Sequence, residues 1–101
     1  MIINPRQLCT DRFSLQVEDN RMRDDGICKG DYVVIQKQNH YHDGEIVAAQ
    51  IGNRILIRRY FEKSSSVRLE CPPPSKQTLI IDKSTPGFTI LGSVVQVIRE
   101  I

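Results

Sequence analysis

Short apolar runs alternate with polar turn segments along this chain, and helical periodicity is nearly absent. In residues 13–17, apolar side chains alternate with Ser14 and Gln16, which is the two-residue period of a strand with one buried face. Similar runs follow about every ten residues, separated by Gly, Pro, Asn or Asp. The pattern predicts a mostly β fold of about eight short strands, at residues 13–17, 32–37, 45–51, 54–61, 67–70, 78–82, 88–92 and 93–101.

Two turn segments predict how strands are connected. Between strands 45–51 and 54–61 stand only Gly52 and Asn53, which accept positive φ, so a tight hairpin is expected there. Pro72, Pro73 and Pro74 donate no ladder hydrogen bonds, so they are expected in a connecting loop. Use of this short run as a polyproline ligand is the alternative.

Composition narrows the class of protein. A length of 101 residues with 40% apolar content suits a single compact domain. Fourteen basic and twelve acidic side chains give a net charge of +2, too small to indicate a nucleic-acid or membrane surface without a clustered patch. The three cysteines lack paired spacing, and no segment is apolar enough for a signal peptide or a membrane span. A soluble, cytoplasmic protein without membrane contact is expected.

Four features follow one another between Phe13 and the C-terminus: Met22 after the first strand, the "DDGI" turn, Gly30-Asp31 opening a strand, and "DGEIVAA" leading into the hairpin. In this order and spacing they resemble the C-terminal domain of LexA-type repressors and of UmuD-type polymerase accessory proteins. The resemblance implies a compact β fold of the β-clip type that forms dimers. It divides the chain into an N-terminal extension, 1–12, and the domain proper, 13–101.

The resemblance also implies where catalytic residues would stand. In that family a serine precedes the methionine that corresponds to Met22, and a lysine stands near position 58. The desolvated, neutral lysine takes the serine proton so that the oxygen can attack a peptide bond in the protein's own upstream segment. Here the two positions hold Arg21 and Arg58. Arginine has no nucleophilic oxygen, and its guanidinium stays protonated because its pKa lies above ~12, so no catalytic residue is expected.

The peptide bond that active members cut is missing too. It typically joins Ala or Cys to Gly, and neither dipeptide occurs in the chain. The chain is expected to begin about where processed members begin, without the helix-turn-helix with which a repressor contacts DNA. A fragment of a longer protein and a small protein that never carried those parts both remain open.

The charges of Arg21 and Arg58 have to be accommodated near each other if the resemblance holds. Two permanent cations in a partly dry cleft repel each other, so they are expected to extend into solvent or to be neutralised by nearby carboxylates, namely Glu18, Asp19, Asp24 or Asp25. The alternative is that Arg21, Arg58 and Arg59 contact an anion or a partner's carboxylate through their planar donors.

Other candidate groups have plainer interpretations. His40 and His42 flank Tyr41 beside Asp43, an arrangement that can hold a metal, but a polar loop is favoured and neither metal nor cofactor is expected. Cys28 is interpreted as a small turn or core residue rather than a reactive thiol.

The C-terminal run predicts a partner. Its apolar side chains point to both faces of a strand, and a strand covered on one face would leave some of them in water; they are Val94, Val95, Val97, Ile98 and Ile101. A homodimer, or a heterodimer with a related repressor or accessory protein, is therefore expected. Coverage of both faces within one chain is the alternative.

Together these observations predict a noncatalytic dimerisation or protein-binding domain in DNA-damage (SOS) or phage-type transcriptional regulation, without direct DNA contact. One alternative is a self-cleaving serine-type peptidase with an unrecognised nucleophile. Another is a small nucleic-acid-binding β module, which the six aromatic residues and scattered basic residues disfavour.

Overall fold

A computed structural model describes residues 12–100, which form one seven-stranded sheet and a single turn of 3-10 helix at Arg23–Asp25. All strand pairs in this part of the chain are antiparallel. The strands are β1 Arg12–Gln16, β2 Tyr32–Gln36, β3 Ile46–Ile51, β4 Arg54–Lys63, β5 Ser66–Glu70, β6 Thr78–Asp82 and β7 Phe88–Ile98. The predicted mostly β fold is confirmed. No helix within residues 12–100 is long and apolar enough to cross a membrane.

The strands are ordered β1-β2-β7-β3-β4-β5-β6. Strands β3 to β6 form a meander, in which each strand pairs with the next along the chain. Strand β7 then returns to lie between β2 and β3. The C-terminal strand therefore joins the first two strands to the meander.

Strand β7 corrects the predicted count of about eight strands. The predicted strands 88–92 and 93–101 are one strand, because Gly92 lies inside β7 rather than breaking it. A Cβ built at Gly92 would lie 2.6 Å from both the carbonyl oxygen of Gln36 and the Cγ2 of Ile35. The glycine is thus required by the close approach of β2, which a strand-breaking interpretation misses. The register also shifts on both sides of β7, as at β-bulges.

The predicted hairpin is confirmed. Ile51 pairs with Arg54, and Gly52 between them has a φ of 61°. Pro72 to Pro74 lie in the loop between β5 and β6, as predicted.

Two clusters of buried side chains lie on opposite faces of β3. Successive residues of a strand point to opposite faces, so Ala48 packs into the first cluster while Val47 and Ala49 pack into the second. Loop 17–31 supplies Met22 and Ile27 to the first cluster. The whole first cluster is Val17, Met22, Ile27, Val33, Ile35, Ala48, Ile57 and Cys71, and the second adds Tyr60, Val67 and Leu69.

Candidate functional site

The loop between β1 and β2 is closed at its base by backbone hydrogen bonds. The amide of Val17 donates to the carbonyl of Asp31 at 2.8 Å, and the amide of Gly30 donates to the carbonyl of Val17 at 2.9 Å. Met22 and Ile27 are each only 1% exposed. The loop is therefore held at both its base and its tip, and it presents residues 18–21 at a defined position.

Arg21 lies at the surface of this loop. Its backbone amide donates to Asp19 Oδ1 at 3.0 Å, and its Nε lies 3.8 Å from Asp19 Oδ2. Its side chain is 42% exposed. Asp19 is thus the carboxylate that pairs with Arg21, one of the four that the sequence predicted.

Arg58 was expected to extend into solvent or to pair with a carboxylate, and it does neither within residues 12–100. The residue is 5% exposed, so it does not extend into solvent. No carboxylate in residues 12–100 lies within 4 Å of its guanidinium, and its Nη1 donates to the carbonyl oxygen of Ile57 at 2.6 Å. The reason is its register: Arg58 pairs with Val47, whose face of the sheet is buried. Its long apolar stem allows an arginine to occupy such a position.

Cys71 is a neighbour of this arginine that the sequence reasoning did not assign. Cys71 directly follows β5, whose last residue, Glu70, pairs with Arg59. Burial raises the pKa of the Cys71 thiol, the charges of Arg58 and Arg21 oppose that rise, and the charge of Asp19 adds to it. Arg21 and Arg58 therefore both lie within electrostatic range of one buried thiol. A thiol with a raised pKa is mostly protonated at neutral pH and is a weak nucleophile.

A groove of about 310 Å³ runs beside these residues. One wall is the end of β1 and the start of the loop, residues 15–19, and the other is Asn53 of the hairpin turn with the start of β4, residues 54–58. Met22 also lines it. Within the described part of the chain, its lining carries carboxylates, amides and guanidiniums but no hydroxyl, thiol, amine or imidazole. These side chains can bind a ligand, but they include neither a usual nucleophile nor a neutral nitrogen base.

Arg59, the third arginine predicted to contact an anion, is engaged within the chain. Its Nε and Nη2 donate to the two carboxylate oxygens of Asp25, each at 3.0 Å, and its Nη1 donates to the carbonyl of Gly44. Such a two-pronged contact is strong and directional. Asp25 therefore ties the loop to β4 through Arg59, rather than neutralising Arg21 or Arg58 as the sequence suggested.

A second ion pair fixes the other end of the loop. Arg99 donates from Nε and Nη2 to the two oxygens of Asp31, each at 2.9 Å, and the amide of Cys28 donates to Asp31 Oδ2 at 2.8 Å. These hydrogen bonds lower the pKa of Asp31 to about 2, and the one from Arg99 has the larger effect. Cys28 is half-buried in this turn, with its sulfur 3.4 Å from Arg99 Nη2, which fits its interpretation as a turn residue.

The histidine segment is a polar loop in which His40 and His42 are exposed. His40 and His42 lie between β2 and β3, and the amide of His42 donates to Glu45 Oε1 at 2.8 Å. Within residues 12–100, no group of three or more His, Cys, Asp or Glu side chains is arranged to hold a metal ion.

The C-terminal apolar residues occupy different environments. Val97 pairs with Val33 and Ile98 with Tyr32, so the two side chains point to opposite faces. Val95, Val97 and Ile98 are 39% to 44% exposed, but only Ile98 shares a face with exposed Tyr32, and we call Ile98 and Tyr32 the C-terminal patch. Val94 instead packs against the first core cluster, and Ile101 lies outside the described residues.

Comparison with known proteins gives consistent matches over most of the chain. Residues 5–95 match the family model described as peptidase S24-like. A LexA repressor of Providencia rettgeri is 32% identical over 88 residues, which cover 87% of this chain and 43% of the repressor. LexA repressor 1 of Nocardia farcinica (strain IFM 10152) is 36% identical over 89 residues, covering 88% of this chain and 39% of that protein. The chain thus spans less than half the length of these curated relatives.

Proposed function

Because the chain belongs to the peptidase S24-like family, we propose that it acts as a noncatalytic, LexA-like dimerisation or protein-binding domain in transcriptional regulation, of the DNA-damage (SOS) or phage type. The regulatory setting rests on the repeated match to LexA repressors. The proposed role is to hold a partner rather than to cut a peptide bond.

Buried Arg58 is the observation that carries the noncatalytic assignment. The family mechanism needs an amine that loses its proton when it is desolvated. A guanidinium keeps its proton even where burial is severe, and Arg58 is 5% exposed. Arg21 supplies no hydroxyl at the other position, so these two positions hold no group for proton transfer or for attack on a carbonyl.

We expect no proteolysis by this domain. After incubation at mildly alkaline pH, intact-mass spectrometry should find the full-length chain unchanged, and a capped peptide with one Ala-Gly bond should remain whole. The matched control is the double variant Arg21→Ser/Arg58→Lys, which restores both family groups on the same scaffold and should cut the peptide slowly. A discrete product from the unaltered chain would favour the rival peptidase, whose cleavage site would then be found by mapping the product ends.

The C-terminal patch supports the dimer part of the proposal. Ile98, 44% exposed, and Tyr32, 40% exposed, are paired across β7 and β2, so they form one apolar surface on the same face of the sheet. A second copy related by a two-fold axis would place the same patch against itself. Burial of this apolar surface would favour association.

Replacing Ile98 by aspartate should break such a dimer. The apparent dissociation constant in sedimentation equilibrium should rise by about tenfold or more, because an unpaired carboxylate at an apolar contact loses its water. Ile80→Asp is the control, since Ile80 is even more exposed, at 73%, and lies on edge strand β6, far from β7 in the strand order. A wild-type chain that stays monomeric at high concentration, or equal dissociation in both variants, would contradict this interface.

A further inference from the structure

The groove is bordered by two strand segments that each lack a neighbour on one side within residues 12–100. Strand β1 pairs only with β2. The start of β4, residues 54–58, pairs only with β3, because β5 joins β4 from Arg59 onward. Both segments line the groove. Unpaired strand edges bind extended peptide segments through main-chain hydrogen bonds.

Arg58 gives this groove a chemical preference. Arg58 lines the groove and is almost fully buried, yet the one hydrogen-bond acceptor of its guanidinium in the described chain is the Ile57 carbonyl. A guanidinium has five N–H donors, and a buried cation without a counter-ion is costly. Other arginines do meet a carboxylate within the chain, in the pairs Arg21–Asp19, Arg59–Asp25, Arg68–Glu70 and Arg99–Asp31.

We propose, building on the partner-binding role above, that the groove takes an extended segment of a partner protein that carries one Asp or Glu side chain, held by the free donors of Arg58. The strand edges supply main-chain contacts, and the guanidinium supplies the preference for an acid. Arg54, which lines the same wall, adds a second positive charge to the groove. The arginine at the family's lysine position is thus a binding group.

The opposite wall limits how acidic the partner segment is. Glu18 and Asp19 line that wall; Asp19 is paired with Arg21, whereas Glu18 is exposed and in no ion pair among residues 12–100. A run of acidic residues would bring like charges close to Glu18 and would be repelled. The preferred segment therefore has a single carboxylate among uncharged, strand-forming residues.

A positional array of capped hexapeptides tests this inference. Each pool fixes Glu, Gln, Lys or Ala at one position and mixes Ala, Ser, Thr and Val at the others, so the fixed residue carries the only charge. Single-Glu pools should retain the labelled protein about tenfold better than the Gln pools, because hydrogen bonds to charged groups are worth at least one factor of ten. Pools with three Glu residues should retain less than the best single-Glu pool.

Arg58→Gln should abolish the preference for Glu over Gln, with folding checked by thermal unfolding. Arg68→Gln is the matched control: it removes an arginine from β5, outside the groove, and should leave the preference intact. If Arg58→Gln unfolds, Arg58→Lys, which keeps the charge but loses the planar fork, should still reduce the preference.

Equal retention of Glu and Gln pools, blank arrays, or a preference that survives a folded Arg58 variant would overturn the inference. Retention of a short DNA duplex by the wild type, lost in Arg58→Gln with blank peptide arrays, would assign the guanidinium to phosphate instead. These results are independent of the mass-spectrometric and sedimentation tests, so the peptide preference can fail while the noncatalytic dimer stands.

Discussion

Replacing Gly92 by alanine should destabilise the domain by about 3 kcal/mol, because an added methyl in a packed core forces side chains and backbone apart. The new Cβ would meet the Gln36 carbonyl oxygen and Ile35 Cγ2 at 2.6 Å. The Gln36 oxygen belongs to the backbone of β2, so it cannot swing away as a flexible side-chain end would. Urea unfolding followed by circular dichroism measures the loss, which is a large share of the 5–15 kcal/mol typical of a domain.

Gly30→Ala separates a steric effect from a conformational one. Gly30 has a φ of 92°, but nothing lies within 4 Å of a Cβ built there. Its substitution should cost only about 1 kcal/mol, the penalty for placing an L side chain in the left-handed region. If Gly92→Ala and Gly30→Ala lowered the free energy of unfolding equally, β7 and β2 would not be as close as described.

Met22→Ala should also cost about 3 kcal/mol, since truncating a buried methionine removes apolar contacts and leaves a cavity. Met22 is 1% exposed and packs in the first core cluster with Val17 and Ile57. It anchors the loop that carries Arg21. Urea unfolding gives the free energy, and an unchanged dependence on urea concentration would show that the folded state remains compact.

Arg23→Ala is the matched control for Met22, because it is the next residue of the same loop and is exposed. It should change the free energy of unfolding by less than about 0.5 kcal/mol. If Met22→Ala were equally mild, the loop would not depend on this anchor, and the position of Arg21 relative to the groove would lose its support.

Three contacts hold the loop between β1 and β2 in place. The loop is held by Met22, by the Asp25–Arg59 contact and by the Asp31–Arg99 contact, none of which needs a serine or a lysine. Arg21 and Arg58 take no part in these three contacts, so the anchoring of the loop does not depend on either arginine.

Features that depend on neighbouring residues in the chain could be predicted before the fold was known. The two-residue period predicted strands, Gly52-Asn53 predicted the hairpin, and the prolines predicted a loop, because side-chain alternation and backbone freedom are local properties. The ordered features from Met22 to the hairpin also predicted the family to which the chain belongs.

Contacts between groups that are distant in the chain could be assigned only from the folded structure. Gly92 looks like a strand break until β2 is seen to pass against it, and Arg58 looks like a surface cation until its pairing with Val47 places it on a buried face. Asp25 pairs with Arg59 rather than with Arg21 or Arg58 because the loop packs on β4 at Arg59. Burial and charge pairing depend on the positions of several strands at once, and a one-dimensional pattern does not contain them.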